Sequence, residues 1–256
     1  MNQPRIVLLA GEGDSTHILY HALVKDFDIA RVIMEAPVPR QQFIRRRIKK
    51  LGLPKVAAQV LFQAIVVPLL TKSAVARRKE ILGQYQLDTG DIPEGKITRV
   101  TSVNDDACLA ALQELQPDIV VVNGTRIISS KILKSVDAKF VNTHAGITPR
   151  YRGVHGAYWA LVNNDAEHCG VTVHLVDPGI DTGAVICQQK VTPTASDNFT
   201  TYPLLQLAAG IPLMKKAIGD IAANRLQLAA GPAGSRLWSH PGIFQYLYHR
   251  WFHGKK

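Results

Sequence analysis

Two apolar runs constrain this chain more than any other feature: residues 5–10 (RIVLLA), which end in Gly11-Glu12-Gly13, and residues 118–122 (DIVVV). Short, continuous, branched apolar runs suit strands buried on both faces, and such strands belong to parallel sheets covered by helices. The segments between them support that reading. Residues 15–24 place Ile18, Leu19, Ala22 and Leu23 on one helical face, and residues 29–34 (IARVIM) read as a second strand. Residues 96–103 form a short strand pattern, 105–115 a helix, 129–135 a short helix, and Phe140-Val141 the tail of a further strand. From Gly170 onward Val171, Val173 and Leu175 alternate with Thr172 and His174, which predicts a strand with one solvated face; residues 184–191 predict another. Residues 199–223 read as helix with breaks at Pro203 and Pro212. Strands alternating with helices imply a Rossmann-like, doubly wound, mostly parallel α/β sheet. We expect a domain over residues 1–218 with a basic helical insertion at 36–80, and a C-terminal extension over 219–256.

The 256 residues carry three cysteines, Cys108, Cys169 and Cys187, odd in number and without C-x-x-C spacing. A disulfide framework and a structural zinc site are therefore not expected, and a reducing cytoplasm is. The first apolar run meets Gly11 and Glu12 too soon for a secretory leader. The longest apolar stretch, residues 56–70, is interrupted by Gln59, Gln63 and Pro68, and is read as too short to cross a bilayer.

The formal charge of +10 is concentrated. Eleven of the 30 Lys and Arg residues fall between Ala36 and Lys79, a segment without Asp or Glu, which leaves 19 basic against 20 acidic residues elsewhere. The explanation of the basicity therefore belongs to this segment.

The glycine turn after the first strand reads G-E-G-D-S-T. Gly11, Gly13 and Ser15 at a strand-to-helix turn could hold a substrate phosphate on backbone N–H groups. The alternative is a plain tight turn capped by Asp14 or Ser15. A nicotinamide cofactor is a third reading, with Glu35 at the end of the second strand as the ribose-binding acid, but the third glycine of that fingerprint is missing.

The block that carries chemistry runs from Val141 to Gln188. Asn142 and His144 stand two positions apart at the end of a core strand, where side chains share a face and where open α/β sheets bind ligands. Tyr151, Arg152 and Gly153 follow, and then a glycine-bearing loop with two carboxylates, Asp177 and Asp181. An amide, an imidazole and a carboxylate suit acyl transfer to an amine. The histidine takes the amine's proton, the carboxylate orients the ring, and the amide N–H steadies the oxygen that gains charge. No G-x-S-x-G nucleophile motif is present.

The block resembles the 10-formyltetrahydrofolate-dependent formyltransferase family. The family pattern N-x-H followed by P and G matches Asn142, His144, Pro149 and Gly153, and its V-x-x-G-x-D-x-G loop matches Val176, Gly179, Asp181 and Gly183. The resemblance implies that Asn142, His144 and Asp181 are the catalytic trio and that 10-formyltetrahydrofolate is the formyl donor, with no metal. It implies further that the folate ring is held by Asn123, Gly124, Thr125 and Arg126 together with Val176, Asp177, Gly179, Ile180 and Gly183. On the acceptor side Tyr151, Arg152 and Gly153 join the glycine turn.

The acceptor expected is an amino sugar, nucleotide- or lipid-linked. The alternatives are glycinamide ribonucleotide or another small amine, and a non-catalytic basic protein that binds membrane or nucleic acid on the same fold. A tRNA acceptor is set aside here, because the roughly 40 residues after Ile218 are few for the barrel domain of the methionyl-tRNA branch. The basic segment has three readings: a solvated helix beside a core helix, an anionic membrane surface shared with the aromatic-basic tail, or a nucleic-acid face. Self-association is also kept open.

Overall fold

The computed structural model describes residues 3–255. A seven-stranded sheet forms the centre, built in chain order from β1 (Ile6–Gly11), β2 (Ile29–Glu35), β3 (Ile97–Val100), β4 (Ile119–Asn123), β5 (Lys139–His144), then, after the two-residue β6 (Arg152–Gly153), β7 (Gly170–Leu175) and β8 (Val185–Lys190); β9 (Leu237–Trp238) pairs with β6 outside it. The order across the main sheet is β3-β2-β1-β4-β5-β7-β8. The first five are parallel; β7 runs antiparallel to both β5 and β8.

The helices are α1 (Asp14–Leu23), α2 (Arg40–Leu51), α3 (Leu53–Leu61), α4 (Val67–Ser73), α5 (Val75–Gln84), α6 (Asp106–Leu115), α7 (Ser130–Leu133), α8 (Gly156–Val162), α9 (Tyr202–Ala222) and α10 (Ile243–Phe252). Alternation within the strands sorts the core onto two faces. Ile6, Leu8 and Ala10 of β1 pack with α1 and α9, while Val7 and Leu9 pack with α6 and α7. The sheet is therefore covered on both sides, the doubly wound arrangement expected. A third, aromatic cluster joins Phe62, Tyr158, Trp159, Phe199 and Tyr246 beneath α3 and α10.

The structure corrects several expectations. β7 has no wet face: Thr172 and His174 are buried, because β7 lies between β5 and β8 and the loop after β5 folds over that side. Helix α9 is unbroken. Pro203 occupies its first turn, where an amide needs no partner, and Pro212 is exposed while Ile211 and Met214 pack inward. The apolar stretch is also longer than its glutamines and proline suggested. Helices α3 and α4 run together through a π-helical turn at Phe62–Val66, in which the Val67 N–H reaches the Phe62 carbonyl. The turn shifts the hydrogen-bond register just ahead of Pro68, so the helix continues from Leu53 to Ser73, 21 residues and long and apolar enough by length and composition to cross a membrane. Its Val56, Gln59, Phe62 and Val66 side is buried against the domain. The tail, read only as aromatic and basic, forms α10.

Candidate active site

The cleft, about 350 Å³, opens beyond the carboxyl ends of β4 and β5, near the point where the strand order reverses. Asn142 and His144 project into it from β5. Residues 124–128 form one wall and residues 176–181 the other.

The imidazole of His144 is fixed at both nitrogens. Nε2 lies 2.7 Å from the Tyr151 carbonyl, which can only accept, so Nε2 carries a proton. Nδ1 faces Asp181 Oδ1 at 3.4 Å. Gly146 makes this geometry accessible: a Cβ there would stand 2.4 Å from the Tyr151 carbonyl and 2.7 Å from Nε2. Asp181 takes a left-handed backbone, φ 50°, and its Oδ2 accepts the Gly153 N–H at 2.8 Å. The loop that carries it is braced from outside. Arg152 Nη1 donates to the Ile180 carbonyl, and Asp177 accepts both the Gly179 N–H and the Thr182 hydroxyl.

Asn142 is set by a residue outside the predicted trio. His174, opposite it in the β5–β7 register, donates Nδ1–H to the Leu175 carbonyl at 2.7 Å, and its Nε2 therefore accepts from Asn142 Nδ2 at 3.1 Å. Burial, reinforced by the nearby His144, holds His174 below the ordinary imidazole value and favours this neutral form. Asp181 Oδ1 lies 3.9 Å from the same Nε2, so both rings converge on one carboxylate oxygen. The polar residues of alternating β7 could have signalled His174, once its register with Asn142 was known.

Beneath these groups, the loop after β5 hangs on Thr172. Its hydroxyl donates to the Gly146 carbonyl and accepts from the Thr148 N–H and from Gln188 Nε2.

The other expected residues divide. Gly124, Thr125, Arg126, Val176, Asp177, Gly179 and Ile180 line the cleft, as does Gly153. Gly183 does not, but a Cβ there would meet the Leu175 carbonyl at 1.7 Å, so glycine is needed for the loop to close against β7. Asn123 is buried beside the cleft, its amide donating to Thr16 and Ser15. Tyr151 contributes its carbonyl; its hydroxyl donates to Asp165 and its ring stacks on Trp238. The glycine turn also lies outside: Gly11 packs against Gly124, Asp14 pairs with Arg78, and Ser15 faces Asn123. Glu35 is committed elsewhere, its buried carboxylate accepting the Val103 and Arg126 N–H groups, which removes the ribose-binding reading.

The lining of this cleft has the chemistry to meet a flat heteroaromatic ring. Small residues and backbone from Gly124, Thr125 and Gly179 offer polar edges, and Val122, Ile128, Val176 and Ile180 offer apolar faces.

Comparison with known proteins shows the family. Residues 53–204, more than half of the chain, match the model of the formyl transferase family, and the match begins inside the segment read as an insertion. A methionyl-tRNA formyltransferase of Kosmotoga olearia is 30% identical over 128 residues, which span 50% of this chain and 41% of that protein. This chain thus covers less than half of that relative's length. Among solved structures, phosphoribosylglycinamide formyltransferase from Streptococcus pneumoniae superposes with a TM-score of 0.54 at 20% identity, covering 86% of this chain and 99% of that one. An N-formyltransferase from Helicobacter canadensis, solved with folinic acid and dTDP-3-aminofucose, superposes with a TM-score of 0.53 at 17% identity over 91% of this chain and 70% of that one. The family match spans β4, β5, β7, β8 and every residue of the Asn142–His144–His174–Asp181 cluster, and on it the chain belongs to the formyl transferase family.

Proposed function

We propose that the protein transfers a formyl group from 10-formyltetrahydrofolate to a primary amine, with an amino sugar as the acceptor. The observation that carries the reading is the convergence of His144, Asn142 and Asp181 on one cleft with the tautomers of both histidines set by backbone carbonyls. When bound, the folate supplies the formyl carbon as an activated acyl group; the walls at 124–128 and 176–181 are the residues that would hold its ring.

The chain's own groups divide the work. The attacking amine loses its proton to His144 Nδ1, and Asp181, 3.4 Å away, stabilises the imidazolium. The Asn142 N–H not used by His174 steadies the acyl oxygen as it gains charge. Gly153 N–H holds Asp181 in register for both.

A phosphorylated acceptor seated on the glycine turn is disfavoured by Glu12 and Asp14 at the start of α1. A second acceptor, methionyl-tRNA, is favoured by the likeness to methionyl-tRNA formyltransferases and by the basic segment, so it belongs among the acceptors to be tested. Two thiols, Cys108 and Cys169, are pushed up by burial to about 12 and about 11, which keeps them protonated and unreactive.

The test is tetrahydrofolate release against a panel of nucleotide-linked amino sugars, glycinamide ribonucleotide and methionyl-tRNA. Turnover with an amino sugar, abolished in His144→Ala, supports the proposal. Turnover with methionyl-tRNA alone reassigns the acceptor, and failure to bind folate refutes the chemistry.

A further inference from the structure

The 21-residue helix from Leu53 to Ser73 has two unlike sides. Phe62 and Val66 face the aromatic cluster, while Leu61, Ile65 and Leu69, at i, i+4 and i+8, stand in solvent, Leu69 at 64% exposure. Helix α10 lies beside it, with Tyr246 packed on Phe62 at 5.0 Å between ring centroids and Gly242 against Ala58. Its remaining aromatics point outward: Phe244 and Trp251 are each 74% exposed, and Phe252 is close to that. So much aliphatic and aromatic surface on two adjacent helices needs an occupant.

The charges around it name the class. Helix α2, packed on α3, buries none of its residues and leaves Arg45, Arg46, Lys49 and Lys50 in solvent. Between α2 and α3 a pocket of about 290 Å³ sets Arg40 and Arg47 beside Phe43, Val56 and Val60, a cationic rim on an apolar floor. Residues 36–79 and 226–256 contain no carboxylate side chain at all. A second copy of this chain docking through the same face would bring like charge onto like charge, and a nucleic-acid backbone would not cover an aliphatic stripe.

We propose that α2, the helix from Leu53 to Ser73 and α10 form a face that docks onto an anionic lipid bilayer, the aromatics and the leucine stripe entering the interface and the arginines and lysines meeting lipid phosphates. The helix lies along the bilayer surface, because its inner side is committed to the domain core. This face is independent of the formyl transfer reading, since none of its named residues lines the cleft at β4 and β5.

The experiment is vesicle flotation of the full chain with phosphatidylglycerol–phosphatidylcholine vesicles and with phosphatidylcholine alone, with Trp251 emission followed in parallel. Binding is expected to the anionic vesicles at low salt, with a blue shift of the emission. It should weaken about tenfold or more in Ile65→Glu/Leu69→Glu and in Arg45→Gln/Arg46→Gln, while thermal melts of both remain near wild type because all four side chains are exposed. Trp251→Ala/Phe252→Ala serves as an independent variant on α10. The proposal falls if anionic vesicles are not bound. It also falls if the apolar and aromatic substitutions leave binding unchanged. A third overturning result is that Ile65→Glu/Leu69→Glu converts a dimer to a monomer in sedimentation without any vesicle binding, which assigns the face to self-association; binding of RNA in place of vesicles would do the same for nucleic acid.

Discussion

Asn142 Nδ2 stands 3.1 Å from His174 Nε2, and that hydrogen bond decides which end of the Asn142 amide is presented to the cleft. The Leu175 carbonyl, 2.7 Å from His174 Nδ1, takes the ring's only proton, so Nε2 can only accept and the amide must offer its NH₂. His174 is a positioning residue in this scheme. His174→Ala should lower kcat by about tenfold to a hundredfold, less than the ~10²–10³ expected for removing the donor itself in Asn142→Ala. The apparent affinity for the formyl donor should change little. A His174→Ala enzyme with wild-type kcat would show that Asn142 is oriented by other means.

Thr172 links the sheet to the loop after β5 with one buried hydroxyl and three hydrogen bonds. Thr172→Val keeps the shape and removes all three, leaving the Thr148 N–H without its acceptor. A loss of about 1–3 kcal/mol in urea unfolding is expected, together with a fall in kcat, because Gly146 and the Tyr151 carbonyl that holds His144 hang on the same loop. Stability loss without any kinetic effect would confine Thr172 to the core.

His155, at the head of α8, meets His240 at 2.9 Å, and burial pushes them down to about 3 and about 4. Folding therefore favours their neutral forms. The unfolded chain takes up protons as pH falls through about 6.5, the ordinary imidazole value, and the folded chain does not until about pH 4. Stability should decline from about pH 6.5 downward, and the decline should be shallower in His155→Gln/His240→Gln. Thermal melts at pH 7.5, 6 and 5 measure it; parallel curves for the two proteins would mean other groups govern the acid limb.

What could be read from the sequence follows the range of the forces involved. The strands at residues 5–10 and 118–122 are visible because full burial demands a continuous apolar run, a local property. Asn142 and His144 are visible because a two-residue spacing on a strand puts both on one face. His174 is not, since its meeting with Asn142 depends on the register of two strands 32 positions apart. The return of β9 to β6, with Trp238 stacked on Tyr151 and Trp159, rests on a two-residue pairing that leaves no periodic pattern. The apparent solvated face of β7 misled for the same reason: alternation of polar and apolar residues describes composition, and here Thr172 and His174 meet polar partners inside the fold.

Besides its apolar packing through Phe62 and Val66, the basic segment meets the core at a buried ion pair. Arg77 donates from Nε at 2.8 Å and from Nη2 at 3.1 Å to Asp197, whose side chain has no solvent exposure. Burial alone would raise the Asp197 carboxyl; hydrogen bonds from Arg77 and Thr194 outweigh it and hold the group below the usual carboxylate range. The pair's contribution is therefore complete above about pH 4 and lost as the pH falls below it. Arg77→Met leaves a buried carboxylate held by its bonds from Thr194 and Thr201 without a cation. The cost should be about 3–5 kcal/mol, and Arg77→Met/Asp197→Leu should recover part of it, because an uncompensated buried charge is worse than none. Guanidinium unfolding of the two variants decides the matter. If the double variant is no more stable than the single one, losing the hydrogen bonds of Asp197 to Thr194 and Thr201 costs as much as removing its buried charge gains.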